Sequence, residues 1–191
     1  MFFWLVIFHV EKLYAPADFK DQSHWMELRM RAAVAVGAAS AQDQESDGPN
    51  VNRLADVIKD ATYDTNGRRP KQRMLLWVDD RAERGNAFAR NAFESLGWRI
   101  TLARSTDEAM NDLQQHPYDA IISDMRRPEG DREGHRLLKL VRGAGIKTPF
   151  YIHSGENSAD LVSETMRLGG NGHTGNAGNL FEMVVRKSLA S

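Results

Sequence analysis

Three short apolar runs in the second half of this chain each end in residues that could do chemistry. Met74-Leu75-Leu76-Trp77-Val78 stops at Asp79-Asp80, Ala120-Ile121-Ile122 stops at Ser123 and Asp124, and Pro149-Phe150-Tyr151-Ile152-His153 stops at Ser154-Gly155. Apolar runs this short read as strands buried on both faces, as in a parallel sheet covered by helices. In open α/β sheets the ligand crevice lies beyond the carboxyl ends of the strands. The intervals, 124 − 80 = 44 and 154 − 124 = 30 residues, leave room for the intervening helices. Two acids, a third aspartate and a hydroxyl would then share one edge. Carboxylates about 4–5 Å apart repel by about 3–4 kcal/mol per pair at an effective dielectric near 20. Such a cluster calls for a cation, and hard oxygen donors with open positions suit Mg²⁺.

The elements that must position these residues alternate as a doubly wound sheet requires. After the first strand, residues 82–96 read as a helix with Phe88, Ala92, Phe93 and Leu96 on its apolar side, closed by Gly97. Residues 98–103 form a second strand. Ser105-Thr106-Asp107-Glu108 has capping-box spacing and opens a helix through Gln115. The third strand is followed by a charged loop and a helix over 134–142. Thr148-Pro149 leads into the fourth strand, then come a helix over 159–168, a short strand near 172–174 and a last helix over 177–189.

These residues resemble the receiver domain of two-component response regulators, over roughly residues 72–190. The resemblance rests on Asp79-Asp80, on Asp124 with Pro128 four residues later, and on Ser154. It implies a flavodoxin-like five-stranded parallel sheet of order 2-1-3-4-5. It implies that Asp79, Asp80 and Asp124 hold Mg²⁺, with Asp80 the direct ligand of the pair and the Arg126 backbone carbonyl a further one. Asp124 is then the phosphoacceptor, charged by a histidine kinase or a histidine phosphotransfer protein, and Ser154 donates a hydrogen bond to the phosphate. Ser154 and His173, which stands at the family's aromatic position, form the switch. The family's fifth strand ends in a lysine that reads the phosphate; here Asn176 stands at that position, and neither Lys nor Arg lies between His173 and Phe181. Asn176 could still hydrogen-bond phosphate without forming an ion pair. Arg126 and Arg127 are candidate clamps in place of the lysine, or else two solvent-facing arginines on a charged loop. The loop before Gly134 is also about two residues longer than the family's.

Net charge is −1 and the pI near 6.6, so nothing draws the whole chain toward nucleic acid. The absence of cysteine excludes disulfides, thiolate metal sites and cysteine nucleophiles. Met1–Val10 is apolar at nine of ten positions, too short to span a bilayer and without the marks of a signal peptide, so no stable membrane insertion is expected. Over 22–41, Trp25, Leu28, Ala32, Ala35 and Ala39 recur at 3,4 spacing, which serves a homodimeric coiled coil or a plain amphipathic helix equally well. Residues 42–50 read as a linker, and 51–63 as a helix with Val51, Leu54, Ala55, Ile58 and Thr62 on one stripe. The Asn66-Gly67 turn and the basic run from Arg68 mark a boundary. Residues 1–70 are thus a mainly helical extension for docking or dimerisation, and 72–191 the receiver-like domain.

No Gly-x-Ser-x-Gly elbow and no Gly-x-x-x-x-Gly-Lys phosphate loop is present. Three functions follow as expectations. The first is a cytoplasmic, Mg²⁺-dependent phosphoacceptor rather than a turnover enzyme, capable of self-phosphorylation and self-dephosphorylation, with output by protein contacts. The second is a pseudo-receiver that binds partners without phosphorylation, motivated by the missing lysine. The third, a small Mg²⁺-dependent phosphohydrolase, lacks a visible general acid. Asp79-Asp80 alone would serve equally as caps of the following helix.

Overall fold

The computed structural model describes residues 57, 58, 61, 72–81 and 86–190. Five parallel strands, β1 (Met74–Val78), β2 (Arg99–Ala103), β3 (Ala120–Ser123), β4 (Phe150–His153) and β5 (Gly172–Thr174), form one sheet in the order β2-β1-β3-β4-β5. Helices α1 (Ala87–Ser95), α2 (Thr106–Gln115), α3 (Glu133–Gly143), α4 (Ala159–Arg167) and α5 (Ala177–Leu189) connect and follow them. The order and the alternation are those expected, and element ends agree to within one residue wherever both ends are described. The apolar segment from Met1, the 3,4 seam over 22–41, the linker, the basic run and the first turns of the helix expected from residue 82 lie outside the described residues.

Both faces of the sheet are covered, which is why its strands read as continuous apolar runs. Alternation along the strands then divides the core in two. Leu75, Trp77, Ile122 and Tyr151 pack with Phe93 of α1 and Leu180, Phe181, Val184 and Val185 of α5. Leu76, Val78, Ile121, Phe150 and Ile152 pack on the other side with Ala109 of α2, Leu137, Leu138 and Val141 of α3 and Leu161 of α4. Val57, Ile58 and Ala61 are helical, buried and part of the first cluster. Ile58 is thus inward as its stripe requires, while Val57 and Ala61 show the buried face turned off that stripe.

Local sequence sets the helix entries. Ser105 Oγ accepts the Glu108 N–H at 3.1 Å, and Glu108 Oε2 accepts the Arg104 N–H at 2.7 Å, a capping box displaced by one residue at its return bond. Gly97, at φ 82°, closes α1 as only a residue without Cβ does easily.

Candidate functional site: an acidic cluster at the strand switch point

Register places the acids. Val78 pairs with Ser123 across β1 and β3, so Asp79 and Asp124 leave adjacent strands at the same level, where the strand order reverses. The Asp79 N–H donates to the Ala103 carbonyl and the Asp124 N–H to the Val78 carbonyl, fixing both backbones at the edge. Carboxylate oxygens of Asp79, Asp80 and Asp124 all lie within 4.8 Å of one another. All three expected acids therefore meet. Each offers a hard oxygen donor just past a strand end, a set that fits a small divalent cation such as Mg²⁺.

Their surroundings differ. Asp79 is buried, and its two oxygens accept the Arg81 N–H at 2.8 Å and the Asn86 side-chain amide at 3.2 Å. It stitches the β1–α1 loop rather than capping α1, whose N-cap is Asn86 in a left-handed conformation. Asp124 keeps 16% of its side chain exposed. Its Oδ1 accepts the Met125 N–H at 2.7 Å, while Oδ2 faces Arg81 Nη2 at 4.0 Å. Burial, and next the charge of Asp79, raise its pKa, against the Met125 N–H, Arg81 and the Arg126 N–H. A divalent cation held by these oxygens would offset that repulsion.

Ser154 and Asn176 leave β4 and β5 at this same edge. The Ser154 N–H donates to the Thr174 carbonyl at 3.2 Å, and its Oγ accepts the Glu156 N–H at 3.3 Å. Asn176 is buried and occupied as the N-cap of α5, its Oδ1 accepting the Asn179 N–H at 2.9 Å, while its amide nitrogen has no hydrogen-bond partner among the described residues. His173 is turned inward. Its Nε2 meets the Glu156 carbonyl at 3.0 Å and its Nδ1 meets Thr165 Oγ1 at 3.0 Å, and His135 Nε2 lies 2.8 Å from the same hydroxyl. A carbonyl only accepts, so the Nε2 of His173 donates to Glu156, and Thr165 Oγ1, whose one proton faces the Leu161 carbonyl at 2.9 Å, draws both imidazoles into one buried cluster. Burial lowers the pKa of both imidazoles.

The two arginines after Asp124 follow neither expectation together. Arg126 is exposed and spans to the β4 loop, where Nη2 donates to Glu156 Oε2 at 2.5 Å. Arg127 is neither a clamp nor a surface residue. Its side chain is fully buried, donating through Nη1 to Ser123 Oγ at 2.8 Å and the Asp124 carbonyl at 2.9 Å, and through Nη2 to Thr106 Oγ1 at 2.7 Å. Thr106 Oγ1 in turn donates to Glu133 Oε2 at 2.9 Å. This buried network pins the main chain beneath the acidic cluster, and the reading from sequence missed it because its members come from three separate elements. Gly134 completes the support: a Cβ there would stand 2.8 Å from the Asp124 carbonyl oxygen and 3.0 Å from Met125 Cα, so α3 reaches the loop only as glycine.

A doubly wound sheet with three carboxylates at its switch point is the architecture of a receiver domain, and the comparisons agree. The family model for the response regulator receiver domain matches residues 75–174, just over half of the chain, and the chain belongs to that family. The receiver domain of the Francisella response regulator 1452 is 26% identical with a TM-score of 0.55, over 62% of this chain and 98% of that one. Two further receivers share the fold at 18% identity and a TM-score of 0.54. They are the CheY-like receiver domain from Methanospirillum hungatei, over 62% of this chain and 94% of its own, and the receiver domain of a LuxO repressor protein from Vibrio parahaemolyticus, over 62% and 93%. No curated protein matches the chain. Among the described residues no helix is long and apolar enough to cross a membrane.

Proposed function

We propose that this receiver accepts a phosphoryl group on Asp124 from a phosphohistidine of a histidine kinase or histidine phosphotransfer protein. The observation that supports this most is the convergence of Asp79, Asp80 and Asp124 within 4.8 Å, with Asp124 still partly exposed and the Met125 N–H on only one of its oxygens. Asp124 Oδ2 attacks phosphorus, forming an O–P bond as the donor's P–N bond breaks. The electron pair leaves with the imidazole nitrogen, which takes a proton from solvent or from the donor protein. Asp79, Asp80, Asp124 and the Arg126 carbonyl would hold Mg²⁺, whose chemistry when bound is to keep Asp124 ionised and offset charge on the phosphoryl oxygens. Met125 N–H orients the nucleophile, and Ser154 Oγ, which accepts the Glu156 N–H, keeps its own proton to donate to the new phosphoryl group. Hydrolysis of the acyl phosphate by water returns the resting state.

Residues 72–191 are the receiver unit in this reading, acting in the cytoplasm. Residues 1–70 supply docking or homodimer contacts apart from Val57, Ile58 and Ala61, which pack in the receiver's own core. A pseudo-receiver is the second reading, favoured by one observation: Asn176 is uncharged and committed to capping α5. Incubation with acetyl phosphate and Mg²⁺, followed by intact mass measurement, separates the two. One added phosphoryl group on the wild type and none on Asp124→Asn supports phosphotransfer. No addition to the wild type supports the pseudo-receiver.

A further inference from the structure

The family's phosphate-reading cation is missing from the end of β5, so the charge it would supply must come from elsewhere or be absent. Among the described residues, one cationic side chain forms an ion pair with the Asp124 carboxylate: Arg81, whose Nη2 lies 4.0 Å from Oδ2. Arg127 contacts only the main-chain oxygen of Asp124, and Arg126 is paired with Glu156. Arg81 is held in place from below, because its own N–H donates to Asp79 Oδ1 at 2.8 Å. Its side chain stays 75% exposed, and donates no hydrogen bond among the described residues. The base is therefore fixed to the acidic loop while the guanidinium is able to swing. It faces Oδ2, the oxygen that Met125 does not hold.

We propose that Arg81 is the phosphoryl-reading residue of this receiver, taking over from the β5 lysine from the opposite side of the cleft. At rest it offsets the Asp124 carboxylate. Once Asp124 carries a phosphoryl group, the guanidinium moves onto the phosphoryl oxygens, where its planar donor pair makes charge-assisted hydrogen bonds that a carboxylate at 4.0 Å does not receive. The inference rests on Asp124 being the phosphoacceptor. It carries a consequence that a structural role would not: Arg81 competes with a divalent cation for the same negative charge, so its removal acts in opposite directions on metal and on phosphoryl.

The test uses the full chain and calorimetric titration, with Mg²⁺ alone and then with beryllofluoride, a phosphoryl mimic, at saturating Mg²⁺. An exposed ion pair near 4 Å in a high-dielectric setting corresponds to about a fivefold effect. Arg81→Ala is expected to weaken beryllofluoride binding about five- to tenfold and to tighten Mg²⁺ about two- to fivefold. Arg81→Lys is expected to restore most of the beryllofluoride affinity, since it keeps the charge and loses only the planar fork. Equal beryllofluoride binding by Arg81→Ala and a wild type that binds it overturns the inference alone. Loss of Mg²⁺ affinity in Arg81→Ala overturns it too, because the side chain would then be holding the loop. A wild type that takes neither beryllofluoride nor phosphoryl from acetyl phosphate overturns the phosphoacceptor reading, and this inference with it.

Discussion

Replacing Asp124 by asparagine should make the metal-free protein more stable, although it removes the residue on which the proposed chemistry depends. Carboxylate oxygens of Asp79 and Asp124 lie within 4.8 Å. Two unit charges at that distance repel by about 3–4 kcal/mol at an effective dielectric near 20 and by about 1 kcal/mol in bulk water. Asp124 is mostly buried and Arg81 cancels part of the repulsion, so a gain of about 1–3 kcal/mol is expected, or roughly 3–10 °C in Tm. Asparagine keeps the oxygen that accepts the Met125 N–H, which isolates charge as the variable. The sign follows from linkage. The folded-state pKa of Asp124 is raised by burial and by Asp79. Stability referred to the unfolded chain is therefore full below the ordinary carboxylate range and is lost as pH rises through the raised value. The advantage of Asp124→Asn should vanish near about pH 3, where the aspartate is protonated in both states, and be complete by about pH 7. Thermal melts of both proteins in a chelator at these two pH values measure it. Saturating Mg²⁺ should then reverse the order, since a ligand that binds only the folded wild type stabilises it by mass action. Asp124→Asn melting below the wild type at neutral pH without metal, or gaining equally at both pH values, would show that these carboxylates do not share a site.

Arg127→Ala should cost about 3–5 kcal/mol in urea denaturation, because Ser123, Thr106 and Glu133 would be left buried without their cation. Arg127→Lys should recover only part of that, as one ammonium cannot replace both arms of the fork; full recovery would reduce the network to a point charge. Burial depresses the pKa values of His135 and His173, so folding disfavours their charged forms. Stability should therefore fall as pH drops from about 7 through the ordinary imidazole range toward about 5. The double variant His135→Gln, His173→Gln should flatten that segment of a stability–pH curve, and an unchanged slope would place the titrating groups elsewhere.

The sequence determined the alternation of strands and helices, because apolar runs bounded by charge, capping residues and glycines are local signals that need no partner. It also determined which residues stand at the strand ends, and so the acidic pair, Asp124 and Ser154 as a set. Which of these face one another depends instead on the packing of segments far apart in the chain. The placement of β1 beside β3, with Val78 opposite Ser123, turns two distant aspartates into one cluster. Arg126 and Arg127 are adjacent and identical in type, yet one lies in solvent and the other is buried. Thr106 of α2, Ser123 of β3 and Glu133 of α3 surround only the second. Burying an arginine costs several kcal/mol unless partners from several elements receive it, and no window of sequence records where those partners will meet. The same holds for Arg81, which carries no local signal, and for Val57, Ile58 and Ala61, whose place in the core depends on the surface that α1 and α5 leave for them.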